Sequence, residues 1–162
     1  MSGNSFSQEQ KKMVVEKYFD MIYRLAVSQT KSTDGADDVV QEVFLRFLRS
    51  DKVFESDDHI KAWLIRVAIN CSHNFFSNSW AKKTVPLSDD LVFDTKEKSD
   101  VYYAAMELPQ KYRTVIHLFY YEDLSISQIS KLLKTKESTI KSQLSRARDM
   151  LRTKLKGGYE IV

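Results

Sequence analysis

Two sets of side chains in this sequence have the types and spacing to hold a nucleic acid. Toward the C-terminus, Lys141, Ser142, Ser145, Arg146, Asp149 and Arg152 share one side of a helical pattern whose other side is Ile140, Leu144, Ala147, Leu151 and Leu155. Small hydroxyl side chains let a helix approach base edges, while lysine and arginine reach guanine O6 and N7 or the flanking phosphates. Earlier in the chain, Trp63, Arg66, Asn70, His73 and Asn74 fall within one narrow arc of another helical pattern. An aromatic ring beside amides and a cation suits unstacked bases, because the ring stacks and the amides read a base edge. Ordinary readings stand beside these, a solvated helix face for the first set and a core position for Trp63. Asp34, Asp37 and Asp38 also cluster, but acids at a helix start explain them more simply than a nuclease or metal-dependent hydrolase does. Cys71, His59, His73 and His117 stand in no zinc spacing, so no catalytic residue, metal or cofactor is expected.

The elements that would position these residues emerge from hydrophobic period. Val15, Tyr18, Phe19, Ile22, Leu25 and Ala26 mark a first helix, and Val40, Val43, Phe44, Phe47 and Leu48 a second that starts near Asp34 and runs to about Arg49. Ile60, Leu64, Val67, Ala68, Cys71 and Phe75 form the core arc of a third, with Phe76 to Lys83 read as its tail. From Thr84 to Asp100 the pattern collapses into a stretch with five acids and two lysines, which reads as a flexible linker. Beyond it, Leu108-Pro109 opens a helix with Tyr112, Val115, Ile116 and Phe119 on its inner face, ending near Tyr121. Ser125 with Gln128 forms a capping box ahead of a short helix containing Ile129, Leu132 and Leu133. The turn Lys134-Thr135-Lys136 then leads into a longer helix that ends at Gly157-Gly158. Short helix, tight turn and longer helix make a helix-turn-helix.

Bulk properties agree with an all-α chain of two small helical domains joined by that linker. Among 162 residues there are only 4 glycines and 2 prolines, fewer than a turn-rich sheet needs. Residues 1–104 carry 14 basic and 16 acidic side chains, whereas residues 105–162 carry 11 and 6, so the basic excess is concentrated at one end. That is the footprint of a phosphate-facing surface. One cysteine, a polar N-terminus and no long apolar run point to a reduced, cytoplasmic setting without membrane insertion.

LPQKYRTVIHLFYYEDLSISQISKLLKTKESTIKSQLSRARDMLRTKL, Leu108 to Leu155, resembles the −35-reading domain of bacterial RNA polymerase sigma factors. DGADDVVQEVFLRFLRSD resembles the sigma segment that docks on the polymerase core, and IKAWLIRVAINCSHNFF the neighbouring segment that opens the −10 element. The two-part layout is similar to the extracytoplasmic-function (ECF) group. The resemblance implies a factor that binds core RNA polymerase, reads promoter DNA and is released from an anti-sigma partner. A free-standing helix-turn-helix regulator is the alternative.

Domain boundaries implied in this way are 10–83 for polymerase and −10 binding, 84–104 for the linker and 105–158 for −35 binding. Within 38–51, Asp38, Gln41, Glu42, Leu45, Arg46 and Arg49 would meet the polymerase. His59, Lys61, Trp63, Arg66, Asn70 and Asn74 would meet the −10 strand, with a base pocket between the loop Phe54 to Ile60 and the helix start. The helix-turn-helix, 126–145 with the adjoining turn of helix, would meet the −35 duplex through Lys136, Ser138, Thr139, Lys141, Ser142, Ser145, Arg146 and Arg148. Lys134 stands where the family's turn carries glycine, and a left-handed conformation there costs a non-glycine residue roughly 1–2 kcal/mol.

Overall fold

The computed structural model describes residues 6–77 and 100–158, and the chain divides into two compact units after Leu87. The expected linker 84–99 and helix tail 78–83 lie outside the described residues. Among the described residues there is no strand.

The first unit is three helices, α1 (Gln8–Thr30), α2 (Thr33–Arg49) and α3 (Asp57–Ser77). α1 begins earlier than its apolar period suggests because Ser7 and Gln10 form a capping box. The Ser7 hydroxyl accepts from the Gln10 amide at 3.1 Å, and the Gln10 side chain accepts from the Ser7 amide at 2.8 Å. Lys31, in the left-handed region at φ 56°, ends α1, and Ser32 caps α2 by accepting from the Gly35 amide at 3.0 Å. The cap is thus Ser32, two residues before the acidic start at Asp34. Ile22, Leu25, Val43, Phe47, Leu64 and Ile65 are almost wholly buried between the helices. Phe19 and Leu48, expected inside, remain 44% and 41% exposed. The chain after α2 is held by Lys11, whose buried ammonium donates to the carbonyls of Leu48 at 2.9 Å and Ser50 at 3.1 Å. These are C-terminal helix carbonyls with no partner inside the helix.

The second unit contains α4 (Asp100–Met106), α5 (Gln110–Ile116), a π-turn (His117–Tyr121), α6 (Ile126–Leu133) and α7 (Glu137–Gly158). α4 corrects the linker boundary. The sequence pattern puts residues 100–104 in the linker, yet Ala104, Ala105 and Met106 are buried and the helix packs on α7. The apolar signal is too short there to reveal a period. Pro109 precedes the first turn of α5 as its cap rather than as its first residue. The core is Leu108, Val115, Leu118, Ile129, Ile140 and Leu144. Inside it, Arg113 donates to the Leu108 carbonyl at 2.6 Å. His117 Nε2 meets Glu122 Oε2 at 2.9 Å, closing the π-turn, so both buried polar groups are paired.

Candidate nucleic-acid interface

The helix-turn-helix forms as its local chemistry dictates. Ser125 and Gln128 make the reciprocal capping box, with bonds of 3.1 and 2.8 Å. Lys134 takes the left-handed conformation at φ 55° and ψ 46°, its amide bonding to the Ser130 carbonyl. The Ser130 hydroxyl donates across the turn to the Thr135 carbonyl. These bonds, with Ile129 and Leu132 buried, hold a non-glycine residue in that conformation. Lys136 occupies the cap position of α7, since its carbonyl accepts from the Ile140 amide at 3.0 Å.

From that turn onward, Lys136, Ser138, Thr139, Lys141, Ser142, Ser145 and Arg146 are all exposed, while Ile140, Leu144 and Ala147 are buried. The polar strip therefore faces away from the unit's core. Arg146, with Lys111 adding to the effect, holds the Tyr112 phenol below its ordinary value. Arg148 differs from its neighbours. It is half-buried, and its Nε donates to the Tyr120 hydroxyl at 2.7 Å.

In the first unit, Asn70, His73 and Asn74 are exposed along α3, and Lys61, Trp63 and Arg66 are half-buried on the same helix. Trp63 is already packed against two other rings. Its ring lies 5.7 Å from that of Phe54, edge-on at 76°, and 6.1 Å from that of Phe47. Phe54 is flanked in turn by Phe6, at 6.0 Å and 19°, and by the edge of His59 at 5.1 Å. The loop between α2 and α3 thus rests on an aromatic cluster. His59 Nδ1 accepts from the Glu55 amide at 3.1 Å, so the neutral ring carries its proton on Nε2. Sequence pattern alone missed a second tether of this loop. Lys17 and Tyr18 of α1 each donate to Asp57 Oδ2 at 2.7 Å, which holds the Asp57 carboxyl below the usual carboxylate range. Burial and the same carboxylate push the Tyr18 phenol up.

An apolar groove lies between α1 and α2. Phe19, Leu45 and Leu48, 44%, 39% and 41% exposed, border a groove of about 490 Å³ with Val15, Val40 and Gln41. Asp38, Gln41, Arg46 and Arg49 are exposed and Glu42 is half-buried; Arg46 donates to Glu42 at 2.8 Å. At the acidic end, burial together with Asp34 and Asp38 raises the Asp37 carboxyl. Among the described residues no group of His, Cys, Asp or Glu could hold a metal ion, and no helix is long and apolar enough to cross a membrane. Cys71 is buried, which pushes its thiol up.

The chain thus pairs a three-helix unit, with an apolar groove and exposed amides, with a second unit built on a helix-turn-helix, a module whose second helix fits the DNA major groove. Residues 14–82 match the family described as Sigma-70 region 2, and residues 99–151 match Sigma-70, region 4. The RNA polymerase sigma factor SigV of Bacillus subtilis (strain 168) is 32% identical over 140 residues, covering 82% of this chain and 83% of that one. The ECF RNA polymerase sigma factor SigM of the same organism is 31% identical over 153 residues, covering 86% and 91%. The chain belongs to the ECF group of RNA polymerase sigma factors. Its fold is similar to that of the sigma factor RpoE in complex with the anti-sigma factor NepR from Bartonella quintana, with a TM-score of 0.75 at 22% identity over 90% of this chain and 96% of that one. CnrH, solved with the cytosolic domain of CnrY, is similar at a TM-score of 0.70 and 21% identity, over 93% and 90%.

Proposed function

We propose that this sigma factor divides promoter recognition between its two units, residues 10–83 binding core RNA polymerase and opening the −10 element and residues 105–158 reading the −35 duplex. As a sigma factor it directs the polymerase to promoters. One observation carries the division: the first unit holds an apolar groove on α1 and α2 and an exposed amide strip on α3, and the second an exposed Lys/Ser/Arg strip on a helix-turn-helix. A free-standing regulator needs only the second. Asp38, Gln41, Glu42, Leu45, Arg46 and Arg49 are assigned to the polymerase. His59, Lys61, Trp63, Arg66, Asn70 and Asn74 are assigned to the −10 strand, and the strip from Lys136 to Arg146 to the −35 duplex.

Binding and strand opening need no covalent step, so the protein is a binding factor and not an enzyme, and it works in the cytoplasm where the polymerase is. An anti-sigma factor is its natural antagonist: the exposed Phe19 ring and Leu48 beside Leu45 would attract an apolar helix, and one fold relative was solved with the anti-sigma factor NepR.

The test uses the holoenzyme on a promoter with intact or scrambled −10 and −35 elements, reading strand opening by permanganate reactivity of unpaired thymines and binding by equilibrium affinity. Asn70→Ala with Asn74→Ala should abolish opening while leaving −35-dependent binding within about twofold, because both amides are exposed and remote from the core. Loss of both activities together would defeat the division.

A further inference from the structure

Within the strip expected to meet the −35 duplex, Arg148 is engaged differently from its neighbours. Its Nε donates to the Tyr120 hydroxyl at 2.7 Å. Its guanidinium carbon lies 5.8 Å from the Phe119 ring centre and 5.6 Å from that of Tyr120, within cation–π range of both. The two rings meet edge to face, 4.9 Å apart at 81°. Both sit in the π-turn His117–Tyr121, closed by the Glu122 amide bonding to the His117 carbonyl at 3.2 Å. A π-turn takes one more residue than an α-helical turn and so redirects the side chains it carries. Here it delivers two aromatic rings to one cation of α7.

We propose that Arg148 is a positioning residue, a strut that fixes the roll of α7 against the π-turn and so aims Ser142, Ser145 and Arg146, and that it contacts no phosphate. The role depends on a planar guanidinium, which donates along one edge while its face lies on a ring, and a lysine ammonium cannot reproduce that. It also depends on the Tyr120 hydroxyl as acceptor. Tyr120 is 50% exposed, so Tyr120→Phe keeps the ring and removes only the bond.

This role rests on the proposed reading that α7 meets the −35 duplex. The test measures holoenzyme affinity for promoter DNA across a range of salt concentrations. Arg148→Ala, Arg148→Lys and Tyr120→Phe should each weaken binding by roughly two- to fivefold, with the slope of log affinity against log salt unchanged. The Arg148→Ala/Tyr120→Phe pair should lose no more than the weaker-binding single variant. A phosphate contact behaves otherwise: Arg148→Ala would flatten the slope by about 0.9, Arg148→Lys would keep its affinity, and Tyr120→Phe would be silent. Any of those results, or additive losses in the pair, overturns the strut. If the wild-type holoenzyme shows no preference for a −35 element, the division of recognition fails first and the strut fails with it. A −35-dependent wild type with a flattened Arg148→Ala slope overturns the strut alone.

Discussion

Arg146 is an exposed arginine on the outer face of α7, the residue type that reads guanine through a bidentate contact. Arg146→Ala should weaken −35 binding by about 1–3 kcal/mol and relax preference at one base pair, measured by competition with single-substituted duplexes. Lys141→Ala should instead weaken all sequences alike. In the first unit Asp57 ties α3 to α1, and its depressed carboxyl gives a pH signature. The stabilisation is present above the ordinary value of 3.8 and is lost as pH falls through the lower value of the folded state. Asp57→Asn should therefore lower the melting temperature at neutral pH and make unfolding below pH 3.8 less dependent on pH. The exposed strip of α7 was legible in the sequence because a 3.6-residue period separates it from Ile140, Leu144 and Ala147. The Asp57 tether was not, because Lys17 and Tyr18 lie 40 and 39 residues away and only tertiary packing brings them together.

The short turns share a feature at the scale of elements. Those ending α1, preceding α6 and ending α6 each place a non-glycine residue in the left-handed region: Lys31 at φ 56°, Asp123 at 57° and Lys134 at 55°. The chain has few glycines for such positions, and local bonds hold the conformation instead. Lys134→Gly should stabilise the second unit by about 1 kcal/mol in chemical unfolding, the relieved strain exceeding glycine's greater flexibility in the unfolded chain. An unchanged or lowered stability would mean that the Ser130 and Thr135 bonds already cancel the strain. Ser125→Ala should cost about 1 kcal/mol by removing the acceptor for the Gln128 amide. The helix-turn-helix was readable because its cap, period and turn agree. By contrast, α4 escaped notice because seven residues hold too little period, and the π-turn has no local signal distinguishing it from the end of α5. The groove of α2 was hidden for another reason: Phe19 and Leu48 fit the apolar period of a core, and only the packed unit leaves them at the surface.

At the scale of the whole molecule, two units with different surfaces stand on one chain, joined through a sequence that carries five acids and two lysines between Thr84 and Asp100. If that charge imitates nucleic acid inside the polymerase, a scramble of the segment at constant charge preserves initiation, whereas neutralising its acids impairs it. A dead scramble would reject charge mimicry. Polymerase docking is the function on which every other assignment depends, and Leu45 lies in the middle of the surface assigned to it. The most direct measurement mixes purified core RNA polymerase with a promoter library, with and without this protein, and reads run-off transcripts. Specific transcripts should appear only when the protein is added, and should fall at least tenfold with Leu45→Glu, which places a charge in the apolar groove at a cost of about 1.4 kcal/mol or more. Failure of the wild-type protein to bind core polymerase, or specific duplex binding with no transcripts, would contradict the assignment.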